Sequence, residues 1–106
     1  MYSLKISVLK TEFHKDFADE FRNPQAHYGH CNIFEEGQEF IVEKWWEIPE
    51  GFCEWAWIDI QKPLFALATG GDLSPWMKAP DIWIACCTDG VKPVTFKLER
   101  LEQHSS

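Results

Sequence analysis

The chain has 106 residues, of which 45% are hydrophobic and 15% aromatic, including six Trp and eight Phe. That is one domain's worth of sequence, long enough for a modest core and too apolar for a disordered segment. Seventeen acidic side chains against ten basic ones give a formal charge of -7, which repels nucleic acid and anionic membranes unless the basic groups cluster, and along the sequence they do not. No apolar run nears the ~20 residues of a membrane helix, and MYSLKISVLK lacks the basic and apolar regions of a secretory signal. The expectation is a cytoplasmic protein, where Cys31, Cys53, Cys86 and Cys87 are thiols or ligands rather than disulfides.

Leu4, Ile6 and Val8 alternate with Lys5 and Ser7, which predicts a strand with one buried face. Phe13, Phe17 and Phe21 then recur every four residues while Lys15, Asp16, Asp19 and Glu20 face away, a helix closed by Asn23-Pro24. Residues 25–36 read as a loop, and Glu39 to Ile48 as a second strand ended by Pro49-Glu50-Gly51. Trp57, Ile60, Leu64 and Leu67 share one helical stripe that stops at Gly70-Gly71, with a kink or break expected at Pro63. After the loop DLSPWMKAP, Asp81 to Cys87 reads as a strand and Thr88-Asp89-Gly90 as a turn. The last strand carries Val94, Phe96 and Leu98 inward and lies at an edge or begins after Pro93.

The order strand, helix, strand, helix, strand, strand predicts an α+β domain over residues 1–102. Its sheet would have about four strands, mixed or antiparallel, with two helices on one face. Residues 103–106 are expected to be a flexible tail.

Four groups of residues could carry chemistry. Cys53 stands where the second helix starts, beside unpaired backbone donors that favour a thiolate, although Glu54 opposes this; the plain alternative is a small buried side chain. Strand alternation puts Cys86 with Ile82 and Ile84, and Cys87 with Trp83 and Ala85, so the adjacent thiols cannot readily serve one site and Cys86 is expected to pack. Asp89 reads either as a turn residue bonding nearby backbone or as a carboxylate turned toward Cys87. Asp59 is a proton-transfer candidate if its side of the helix faces inward, and merely solvated if it joins Gln61 and Lys62. His27, His30 and Cys31 have a metal-like look but lack a fourth ligand. Trp57 and Trp76 are the candidate ligand-contacting tryptophans, Trp76 because it lies on a loop rich in Gly and Pro.

The opening VLK, the segment from Cys31 through Gly37-Gln38-Glu39-Phe40, PEGFCEWAWIDIQK, Gly70-Gly71-Asp72 with Pro75-Trp76-Met77, and CTDGVKPVTFKLE together resemble an uncharacterised family. Its members are short proteins of about this length, mainly from anaerobic bacteria and archaea with some fungal members, and the family has no established activity. The resemblance implies that Cys31, Cys53 and Cys87 belong to a shared pattern, whereas His27, His30 and Cys86 are particular to this chain.

The leading reading is a site of Cys31, Cys53 and Cys87, with Asp59 or Asp89 nearby and tryptophan walls, that binds or acts on a small organic molecule. In its enzymatic form Cys53 is nucleophile or proton carrier and an aspartate is the acid or base. Two other readings stay open. The same three thiolates could hold a transition metal, Zn, Cu or Fe, or the cysteines could be packing residues of a noncatalytic interaction module. An edge strand and abundant aromatics also fit a homo-oligomer.

Overall fold

The computed structural model describes residues 1–103. Its elements are β1 (Tyr2–Thr11), α1 (Lys15–Phe21), β2 (Glu39–Val42), α2 (Glu54–Asp59), α3 (Gln61–Ala68), β3 (Ile82–Cys86) and β4 (Val94–Gln103). The strands form one antiparallel sheet in the order β2-β1-β4-β3. The fold is α+β. Of the expected tail, Gln103 pairs with Tyr2 at the end of β4, and the remaining positions lie outside the described residues.

The two long central strands supply the floor of the core. Leu4, Ile6 and Val8 on β1 and Val94, Phe96 and Leu98 on β4 are almost wholly buried, and Ile6 pairs with Leu98 and Val8 with Phe96. Ile60, Leu64, Leu67 and Ala68 cover them from α3, and Ala56 and Trp57 from α2. Burial of these side chains is the main stabilising term, at about 1.5–3 kcal/mol for each large one. Arg100 fastens the end of α3 to the sheet: Nε donates to the Leu67 carbonyl at 2.8 Å, Nη2 donates to the Gly71 carbonyl, and the guanidinium lies 5.0 Å from the Tyr2 ring centre.

Three expectations need correction. There are three helices rather than two, because the predicted second helix divides at Ile60, which ends α2 and starts α3. The break falls before Pro63 because the proline ring excludes the carbonyl four residues earlier, that of Asp59, while its missing N–H costs nothing in the first turn of a new helix. The second strand ends at Val42, which pairs with Leu4 near the start of β1, so little of β1 remains for residues 43–48, which turn away instead. Phe17 and Phe21 are 46% and 73% exposed, and α1 buries Ala18; Phe13 precedes the helix and packs edge-on against Tyr28. Of the two alternatives for Pro93, the last strand begins after it, at Val94, and lies in the middle of the sheet.

Candidate functional site

Where β3 gives way to β4, a cavity of about 460 Å³ opens beside the core, within the range of small-molecule sites. Cys31, Cys53 and Cys87 all line it, together with Arg22, Asp89 and Lys92. Each thiol comes from a different segment. Cys31 lies on the loop between α1 and β2, Cys53 is the N-cap residue of α2, and Cys87 directly follows β3. The three are half-buried and pack against the core cluster, whereas Cys86 is exposed. Cys86 therefore does not pack as expected: pleating turns it to the opposite sheet face, which the α3 side of the core leaves uncovered.

The floor is Phe34, which meets Phe52 and Phe96 edge-on at 4.9 and 5.2 Å between ring centres. Ala56 and Val94 are buried next to it in the lining. Two thiols already accept backbone hydrogen bonds: the Val94 N–H donates to Cys87 Sγ at 3.3 Å, and the Ile33 N–H to Cys31 Sγ at 3.5 Å. Cys53 makes no capping hydrogen bond with its side chain.

Asp89 takes the turn role weighed for it and also lines the cavity with Cys87. Its Oδ1 accepts the Val91 and Lys92 backbone N–H groups at 2.9 and 3.0 Å, which fixes the turn, and also a hydrogen bond from Arg22 Nη2 at 3.2 Å. The Lys92 ammonium stands 3.9 Å from Oδ2. Burial works against the charge, but the N–H donors of Lys92 and Val91 and the cations Arg22 and Lys92 outweigh it and hold the Asp89 carboxyl below the usual range. Asp89 is an anchored carboxylate at neutral pH, poorly suited to donate a proton.

Asp59 lies outside the lining. Its carboxylate accepts the Thr88 N–H at 2.8 Å and the Thr88 hydroxyl at 3.0 Å, and that hydroxyl accepts the Trp55 indole N–H at 2.7 Å. Asp59 thus holds the residue beside Cys87 and, through it, the indole of Trp55, which lines the cavity. It is a positioning residue because the helix phase points it at the turn rather than into the core.

The tryptophans also sort differently from expectation. Trp57 is 9% exposed and packs on Phe52 within the core. Trp76 is 70% exposed and meets Trp83 edge-on in a separate groove of about 290 Å³, lined with Lys62, Pro63, Ala66 and Leu73. His27 Nε2 donates to the His30 carbonyl at 2.8 Å, and His30 Nδ1 shares a hydrogen bond with Thr11; neither lines the cavity. Arg22, Phe34 and Lys92 are not legible in the sequence as site residues, and Trp55 is legible only as one of six tryptophans that could wall a pocket. Its one local signal is the spacing of four from Asp59 on one helix face.

Among the described residues no three His, Cys, Asp or Glu side chains are arranged to hold a metal ion together. The three cysteines line one cavity without forming such a group. Comparison with family models, with curated proteins and with solved structures gave no match.

Proposed function

We propose that the protein binds a small organic molecule in the cysteine-lined cavity, with Cys53 as the thiol that meets it. The observation that carries this reading is the convergence of Cys31, Cys53 and Cys87 from three separate segments on one apolar-floored cavity with charged groups in its lining. Such a combination of apolar surface and a few fixed polar groups suits orientation of a small ligand. Where the bound molecule is also transformed, Cys53 serves as nucleophile or proton carrier. Asp89 then orients Arg22 and Lys92 instead of moving a proton. The family resemblance belongs to the same proposal, since the three thiols of the cavity are those its pattern shares.

The test combines selective capping with a binding screen. Neutral iodoacetamide applied to the folded protein should cap Cys53 before Cys31 and Cys87, and small organic molecules that bind in ligand-observed NMR should lose binding once Cys53 is capped. Binding that survives capping, or a Cys53 that reacts no sooner than Cys31 and Cys87, would overturn the reading.

A further inference from the structure

We propose that the molecule taken by this cavity is an organic anion, its charged end held by Arg22 and Lys92 and its apolar body laid over Phe34 and Ala56 toward Cys53. The proposal rests on the binding reading above and adds a ligand class to it.

Charge balance at the cavity is the first support. Two cations share one carboxylate, Asp89, so this part of a strongly acidic chain carries a local positive excess. The donor count is the second. A guanidinium has five N–H donors and an ammonium three. Arg22 directs Nη2 at Asp89, and the Lys92 ammonium, at 3.9 Å, stands beyond hydrogen-bond reach of the same carboxylate. Both side chains are largely covered, 24% and 18% exposed, and both line the cavity. Partly covered cationic donors that Asp89 does not fill are free to meet an incoming acceptor from the cavity side. A carboxylate supplies one, and charge-assisted hydrogen bonds to Arg are the stronger kind.

The third support is that one of these cations, Arg22, is held in place. Asp89 is fixed by two backbone N–H groups and in turn fixes Arg22, so the guanidinium meets a ligand without reorganising. An anion would enter against the long-range field of the acidic chain, which salt screens over about 10 Å at 0.1 M ionic strength. Recognition therefore has to come from these two close, partly buried charges.

Iodoacetate and iodoacetamide make the test, because they alkylate by the same displacement of iodide and differ in charge. Each reagent is applied to the folded full chain at low salt, and alkylation is followed at each cysteine by peptide mapping. Cys86, exposed on the other sheet face, is the internal reference. The iodoacetate to iodoacetamide rate ratio at Cys53, divided by that at Cys86, should be raised about tenfold. It should fall at least threefold in Arg22→Gln and in Lys92→Gln. Because Arg22→Gln could loosen the turn, the unsubstituted protein gives an independent measure: its raised ratio should decline with added salt. A normalised ratio of one or below, with Cys53 still capped readily by iodoacetamide, overturns the anion proposal and leaves the binding reading standing. A Cys53 that neither reagent reaches overturns both.

Discussion

Two of the molecule's concave surfaces are built by different means. The cysteine cavity has a floor drawn from the core, Phe34 and Val94, and charged groups tied to backbone through Asp89. The groove under Trp76 is lined by Pro63, Ala66, Leu73 and Trp83 with Lys62, and its two indoles lean on each other edge-on at 6.4 Å. A ligand in the groove would gain apolar contact area with little to orient it. In the cavity it would meet area and fixed polar groups together, which is the usual recipe for a specific site. Exposure of a tryptophan is thus a poorer guide to a site than fixed polar groups converging over a core residue.

The sharpest way to break this comparison is to remove the floor. Phe34→Ala should cost about 3–5 kcal/mol, because it deletes a core aromatic and leaves a void among Phe40, Phe52 and Phe96. Urea denaturation at constant slope measures it, and a loss below about 1 kcal/mol would mean the cavity is not built from the core. Next in size is Asp59→Ala, which strips the Thr88 N–H and hydroxyl of their acceptor and frees the Trp55 indole. Stability should fall by about 1–2 kcal/mol, and native alkylation of Cys87 by iodoacetamide should accelerate as the turn loosens. An unchanged Cys87 rate would show that Asp59 does not position the cavity wall.

Those residues also show how far the sequence could be read. Alternation at Leu4, Ile6 and Val8 and again at Val94, Phe96 and Leu98 is a local signal, and it predicted both central strands; the same pleat separated Cys86 from Cys87. Helix faces were harder. Phe13, Phe17 and Phe21 have the right spacing, but α1 is only seven residues long and rests on Ala18, so a real period pointed to the wrong face. The Arg22–Asp89 pair is separated by 67 positions and the Asp59–Thr88 bonds by 29, and no spacing rule reaches across such distances. The grouping of Cys31, Cys53 and Cys87 came from the family resemblance and not from their separations, which match no known ligand pattern.

A smaller effect tests the charge at the cavity. Asn in place of Asp89 keeps an oxygen for the Val91 and Lys92 N–H groups but removes the charge facing Arg22 and Lys92. Since the folded carboxyl lies below its usual range, its ionised form stabilises the fold above the unfolded-state value of about 3.9 and that contribution disappears as pH falls through the folded value. Asp89→Asn should therefore be less stable than the parent near neutral pH, by about 1 kcal/mol or less given partial screening, and the two should converge in acid. A difference that persists at the lowest pH would assign the effect to the turn and not to the charge.

The smallest expected effect closes the comparison from the side of the groove. Trp76→Ala removes a large, mostly exposed ring whose one aromatic partner is Trp83, so stability should drop by only about 0.5–1 kcal/mol. The alkylation rates of Cys53 and Cys87 should not move, because Trp76 is outside the cavity lining and nothing that holds Asp89 or Thr88 runs through it. A slowed or accelerated Cys53 would mean that groove and cavity are coupled, through the junction at Ile60 between α2, which lines the cavity, and α3, which lines the groove. Equal rates would leave the two surfaces independent, and the tryptophan groove without influence on the thiol chemistry.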